Sequence, residues 1–196
     1  MHMVIRVIVY ATDEKDAISN ASEVLNGLCG EDRTFDYYTL FREGDETPVS
    51  GSSRWGELPS VQLVCAGFGS ATCDKCDERF KCYTMKVMDL VKDGMKNTTS
   101  EFMHNIAKVR RLLDESTDKE LFEHGDYPFK YLCHCLGETK GHTVWLYDHE
   151  GEGITSEDNL KNVLEMWRTL YDSDESWRKS HSEDTRVYVV PADVHY

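Results

Sequence analysis

The stretch at residues 3–10 reads MVIRVIVY, and its apolar and β-branched side chains predict a buried β-strand. Thr12 and Asp13 follow as residues of the kind that cap a helix. Apolar residues then recur at helical spacing through residues 17–28. Residues 35–41 (FDYYTLF) predict a second strand, so the chain opens with a β-α-β unit.

A second β-α-β unit is expected in the later part of the sequence. The predicted elements are strands at residues 129–136 (FKYLCHCL) and 142–147 (HTVWLY), a hairpin loop at 137–141 between them, a helix at 156–171 and a strand at 186–190 (RVYVV). A charged loop at residues 172–184 leads to the last strand, which Pro191 is expected to end.

Two β-α-β units in succession give the order of elements found in a ferredoxin-like split β-α-β sandwich. The sequence therefore predicts a single α+β domain over residues 1–196. We expect an antiparallel or mixed sheet that holds both residues 3–10 and residues 186–190, with helices packed mainly on one face.

The segment between the two units, residues 43–128, is predicted to be an inserted helical subregion. It is expected to contain a short strand at residues 61–65, followed by two helices. Thr98 and Glu101 form a capping-box pattern, which predicts that the second of these helices begins there.

A cluster of cysteines is the most specific feature of this insertion. Cys73, Cys76 and Cys82 are spaced C-x2-C-x5-C, so a tight turn can direct the first two thiolates to one point and the third can close over it. Cys65 is the nearest candidate for a fourth ligand. Other candidates are Cys29, Cys133, His134 and Cys135. Four protein ligands predict a structural site for zinc or an iron–sulfur cluster, and the alternative is a set of free thiols in a charged loop.

The same spacing can be compared with two known patterns. The segment from Cys73 to Phe80 looks like the first half of a Cys2His2 zinc finger, but no histidine pair follows. The C-x2-C-x5-C triplet is also similar to that of iron-staple nucleases, in which a distant upstream cysteine completes a four-iron cluster. The likeness covers ten residues, and the carboxylate and Glu-x-Lys core that those nucleases need in a strand pair is not found, so it suggests a type of cluster and no activity.

Three other groups could carry chemistry. Cys133-His134-Cys135 lies in a predicted strand, where two buried thiols are a simpler interpretation than a second metal site or a redox pair. Asp148-His149-Glu150 follows a strand end, where catalytic groups often lie, although an acidic loop is the favoured interpretation. His195 is expected to be solvent-exposed.

The composition limits the kinds of partner. Hydrophobic residues make up 40% of the 196 residues, enough for a core, and the formal net charge is −14. This charge disfavours nucleic acid and anionic membranes, because phosphates are bound by clustered Lys and Arg. Solubility alone would also explain it. Seven cysteines without a secretory signal predict reduced thiols and a cytoplasmic location, and no apolar run is long enough to span a membrane.

Two classes of function remain after this survey. The first is an intracellular acidic interaction or regulatory module with a structural Cys-ligated metal site, for which the charge favours a basic protein partner. The second is a metal- or iron–sulfur-dependent enzyme that acts on nucleic acid or a small molecule. The sequence contains no phosphate-binding loop, dinucleotide motif or nucleophile elbow. The first class is therefore favoured, and no catalytic residue is assigned.

Overall fold

The computed structural model describes residues 2–41, 51–56, 58–65, 80–124, 129–141, 143–180 and 185–195. Within these ranges the strands are β1 (His2–Ala11), β2 (Tyr37–Leu40), β3 (Gln62–Cys65), β4 (Leu146–Tyr147) and β5 (Arg186–His195). The helices are α1 (Glu14–Leu28), α2 (Ser52–Trp55), α3 (Lys81–Glu115), α4 (Asp118–His124), α5 (Tyr131–Gly141), α6 (Glu157–Ser173) and α7 (Glu175–Ser180).

The strands form one mixed sheet in the order β2-β5-β1-β4, and β3 also pairs with β5. β1 and β5 are antiparallel along their whole length, from His2 opposite His195 to Ala11 opposite Arg186. β4 runs parallel to β1. β1 and β2 are both antiparallel to β5 and are therefore parallel to each other, with β5 between them. The α+β class and the shared sheet of residues 3–10 and 186–190 are confirmed.

Both faces of this sheet are covered by helices. α1 packs on one face through Ala17, Ala21 and Leu25, against the odd-numbered residues of β1 from Met3 to Val9. The other face holds α3 and α6, whose buried residues include Val87 and Trp167. The expectation of helices mainly on one face is wrong, because β1 and β5 are apolar on both sides and each side must be buried.

Where two helices were predicted in the insertion, the structure has one continuous helix, α3. The capping box is wrong because Thr98 lies inside the helix, and its hydroxyl donates a hydrogen bond of 3.2 Å to the carbonyl of Gly94. Thr99 and Ser100 donate to carbonyls four residues earlier in the same way. Glu101 pairs with Arg54 of α2 instead of capping.

The predicted strand at 129–136 and the hairpin at 137–141 are also wrong, because this segment forms α5. Phe129, Leu132 and Leu136 recur at helical spacing. Helix α5 contacts α3, and Leu132 is buried. Of the predicted strand at 142–147, only β4 is present within the described residues.

The last strand continues through Pro191 to His195, which corrects the predicted end. Arg6 lies opposite Pro191, and the pairs on either side of it keep the ladder with β1 in register. The predicted loop before β5 contains α7. The finer ferredoxin-like description and the insertion boundaries at 43–128 stay predictions; β3 and α3 fall inside those boundaries and both contact the sheet.

Candidate functional site

A cleft of about 480 Å³ lies where the carboxyl ends of β1 and β4 meet α1. Because these two strands are parallel, their carboxyl ends reach the same edge of the sheet, and this is where ligands bind in many open sheets. Helix α1 begins after a capping bond from the backbone N–H of Asp16 to the side chain of Asp13. The cleft is lined by Tyr10, Asn20, Glu23, Val24, Gly27, Leu28, His149, Glu150 and Gly151.

The turn after β4 is held by the buried carboxylate of Asp148. This carboxylate accepts hydrogen bonds of 2.9 Å from the backbone N–H groups of Glu150 and Glu152. Gly151 completes the turn with a positive φ of 83°, a conformation that favours glycine. Asp148 thus acts within the turn, and its neighbours His149 and Glu150 are presented to the cleft.

An aromatic cluster forms the floor beside this turn. The ring of Tyr10 lies 5.1 Å from those of His149 and Trp167 and 5.2 Å from that of Trp177. Trp167 is fully buried on α6 and contacts His149 edge to face at 5.2 Å. Rings in these tilted and edge-to-face arrangements attract one another and hold the cleft in one shape.

The electrostatics of the cleft are negative. Burial raises the pKa of Tyr10, a hydrogen bond to Trp177 opposes this, and the charge of Glu150 adds to it, so the phenol stays protonated at neutral pH. The Nε2 atom of His149 lies 3.9 Å from a carboxylate oxygen of Glu150. Its Nδ1 atom is covered and has no hydrogen-bond partner among the described residues, which favours the tautomer with the proton on Nε2.

The candidate metal ligands lie mostly outside the part of the chain that the structure describes. Cys73 and Cys76 fall within residues 66–79, which are not described. Cys65 is the last residue of β3, and Cys82 is in the first turn of α3. Lys86 of α3 donates a hydrogen bond to the carbonyl of Leu63 in β3, so the two ends of this segment belong to elements that contact each other.

The alternative ligands are placed elsewhere. Cys29 adjoins the start of β2, next to His2 at one end of the sheet, whereas Cys65 pairs with Val187 near the other end. Eight residues of β5 separate these positions, roughly 26 Å, so Cys29 cannot share a metal with Cys65. Cys133 and His134 are exposed on α5, and the expectation that Cys133 is buried is wrong. No group of three metal-ligating side chains occurs in the described ranges.

A polar cluster that the sequence did not reveal lies at the amino end of β1. The fully buried carboxylate of Asp193 is 3.0 Å from Nδ1 of His2 and accepts a hydrogen bond of 2.6 Å from the backbone N–H of Gly51. The hydroxyl of Tyr37 is 3.4 Å from Nε2 of His2. The cluster joins three strands and α2, and spacing alone could not show it because its members are far apart in the sequence.

His195 belongs to the same end of the sheet, and the expectation that it is solvent-exposed is wrong. Its ring stacks on that of Tyr37 at 4.8 Å and meets the ring of His2 at 4.9 Å. Its Nδ1 atom lies 3.0 Å from the carboxylate of Asp36. Burial lowers the pKa of His195, although the hydrogen bond to Asp36 opposes this change.

Comparison with known proteins gives a family and no function. A family model described as a domain of unknown function matches residues 1–196. No curated protein and no solved structure matches the chain. Among the helices in the described ranges, none has the length and apolar character needed to cross a membrane.

Proposed function

We propose that this chain, which belongs to the DUF7995 family of domains of unknown function, is an acidic interaction module that binds a basic segment of a partner protein. The binding site is the cleft between α1 and the carboxyl ends of β1 and β4. One observation supports this most directly: among the described residues, the cleft is lined by the carboxylates of Glu23 and Glu150 and by no lysine or arginine.

The partner's Lys or Arg side chain suits this chemistry. The two carboxylates attract a cation, and Asn20 adds an amide to the lining. The rings of Tyr10 and His149 provide aromatic surface on which an aliphatic stem or a guanidinium plane can pack. A net charge of −14 steers a basic segment towards the molecule before the cleft engages it.

A substitution that adds a charge without removing a contact provides the test. Gly27 lines the cleft on α1, and a side chain there would meet open space. Arginine is a better helix former than glycine, so Gly27→Arg keeps the fold and places a cation in the cleft. At about 5 Å from a bound cation and an effective dielectric of 20–80, the repulsion is about 1–3 kcal/mol, and we expect binding at least about fivefold weaker.

The measurement is isothermal titration calorimetry with a tetra-arginine peptide at two salt concentrations. Gly137→Arg is the matched control, because Gly137 also faces open space on a helix and the variant has the same net charge. Wild type and Gly137→Arg should bind equally at low salt, and both should weaken as the Debye length falls from about 10 Å to about 3 Å. If both arginine variants lose the same affinity, binding is non-specific and the proposal is wrong.

We also propose that Cys73, Cys76, Cys82 and Cys65 bind one structural metal centre, either zinc or an iron–sulfur cluster. The spacing of the three clustered cysteines supports it, as does the contact between β3 and α3, which carry Cys65 and Cys82. Metal analysis of anaerobically purified protein, with a visible spectrum, distinguishes the two, since only the cluster is coloured. Less than about half an equivalent of metal with every thiol titratable would refute the site.

The interaction module remains preferred over the enzyme. A cytoplasmic location is part of the proposal and is supported by the seven cysteines. The enzyme alternative depends on a metal at the cysteine cluster and on nucleic acid or a small molecule as substrate. The finer ferredoxin-like description stays a hypothesis: β1 and β2 are parallel with β5 between them, as in a split β-α-β unit, whereas α1 and α6 lie on opposite faces.

A further inference from the structure

A second cleft, of about 470 Å³, lies between α2 and the middle of α3. Its walls differ from those of the first cleft, because most of the polar groups that line it can donate hydrogen bonds. The residues with donor groups are Arg54, Trp55, Asn97, Ser100, His104, Asn105 and Lys108. Donors in excess of acceptors suit a ligand that is rich in oxygen atoms.

The local charge is positive in a chain that is strongly acidic. Glu101 is the only carboxylate among the described residues that line this cleft, and Arg54 neutralises it through two hydrogen bonds, one of them from Nε at 2.9 Å. Burial alone would lower the pKa of Arg54, but the hydrogen bond to Glu101 and the charge of that carboxylate raise it above its ordinary value. Lys108 makes no ion pair within the described ranges, so the lining carries a formal charge of +1 before His104 is protonated.

An unpaired donor marks the same place. The Nε1 atom of Trp55 is covered and has no hydrogen-bond partner in the part of the chain that the structure describes. Because this N–H belongs to the wall of the cleft, its environment should change when a molecule enters the cleft. His104 and Lys108 are one helical turn apart on α3 and line the same cleft.

We propose that this cleft binds the phosphate group of a small phosphorylated molecule. Lys108 and His104 would contact the phosphate oxygens, and the ring of Trp55 would lie beside the ligand in the wall of the cleft. A small ligand fits better than a polyanion, because a net charge of −14 repels an extended chain of phosphates but acts less on a single group inside the cleft. The volume is in the range of small-molecule sites and exceeds that of phosphate alone.

The test is an NMR titration that follows the indole N–H of Trp55, assigned with Trp55→Phe. The probes are inorganic phosphate, phenyl phosphate and phenol, and phenol is the uncharged match. We expect phenyl phosphate to shift the Trp55 resonance saturably, and phenol to leave it unchanged. Lys108→Gln should weaken phenyl phosphate about tenfold, the effect of one charged hydrogen bond, and His104→Gln should also weaken it.

Lys92→Gln is the matched control. Lys92 is exposed on the same helix, pairs with Asp89 and lies outside the cleft, and the variant has the same net charge as Lys108→Gln. Its affinity should stay within about twofold of wild type. Equal losses in the two variants, or phenyl phosphate that binds no more tightly than phenol, would overturn the proposal. The two clefts lie at opposite ends of β1, so this result is independent of the tetra-arginine titration.

Discussion

Helix α3 approaches the sheet closely at Gly94, and this contact makes a strong prediction about stability. A Cβ atom at Gly94 would lie 2.7 Å from the carbonyl oxygen of Val4 and 3.4 Å from Nη1 of Arg6. Real Cβ atoms do not come within 3.0 Å of another heavy atom, so α3 would have to move by several tenths of an ångström. Val4 cannot yield easily, because β1 is held between β5 and β4.

Two opposing effects set the magnitude for Gly94→Ala. Alanine favours a helix over glycine by about 1 kcal/mol, whereas overpacking a filled core costs about 1–3 kcal/mol. We therefore expect a net loss of up to about 2 kcal/mol. Displacing α3 also disturbs Arg6, which is 3% exposed beneath it and donates a 3.1 Å hydrogen bond to the carbonyl of Ile5. Burial lowers the pKa of Arg6 to about 10, so it remains charged at neutral pH and needs this cover.

The assay is urea unfolding followed by far-ultraviolet circular dichroism, with Gly137→Ala as the control. A Cβ atom at Gly137 in α5 meets nothing within 4 Å, so that variant gains helix propensity without a clash and should be more stable by about 0.5–1 kcal/mol. The two variants should therefore differ by about 1–3 kcal/mol. A Gly94→Ala protein as stable as Gly137→Ala would refute the reasoning, because the backbone contact would then impose no cost.

Three further predictions follow from buried titratable groups. Asp193→Ala leaves two buried donors, including His2, without their acceptor, and should lower the free energy of unfolding by about 3 kcal/mol in urea titrations; a loss below about 1 kcal/mol would contradict this. The pKa of His195 is lower in the folded protein than in the unfolded chain, so as the pH drops the unfolded chain binds a proton before the folded protein does. The free energy of unfolding should therefore fall as the pH drops below about 6.5. His195→Phe should reduce this pH dependence. Burial, with the charge of Asp36, raises the pKa of Cys29 to about 11, so iodoacetamide at pH 8 should alkylate exposed Cys133 much faster than Cys29; equal rates would contradict this.

Local sequence patterns predicted the elements that are buried on both faces or capped by their own residues. Residues 3–10 and 186–190 are strands in the structure, and Ser156, the first residue of the predicted helix, caps α6 by accepting a hydrogen bond from the N–H of Asn159. The prediction at Thr98 is wrong because a hydroxyl side chain can either cap a helix or donate a hydrogen bond to a carbonyl four residues earlier inside a helix. Only the packing of α3 on β1 decides between these two roles.

The two clefts and the polar cluster depend on contacts that no local pattern contains. The sequence shows Asp148-His149-Glu150 as a strand-end motif, but the aromatic partners of His149 come from β1 and α6. His2 and Asp193 are 191 positions apart and meet only because β1 pairs with β5 in full register. Trp55 and Lys108 likewise become neighbours through the pairing of Arg54 with Glu101.

The position of β5 in the sequence has a consequence for how the protein is made. β1, β2 and β3 all pair with β5, and all three precede it in the chain. A ribosome adding about 5–20 residues per second would need roughly 10–40 s to go from β1 to β5. During that time the apolar strand MVIRVIVY has no antiparallel neighbour to satisfy its backbone. The cooperative folding of this sheet must therefore wait until β5 has left the ribosomal tunnel.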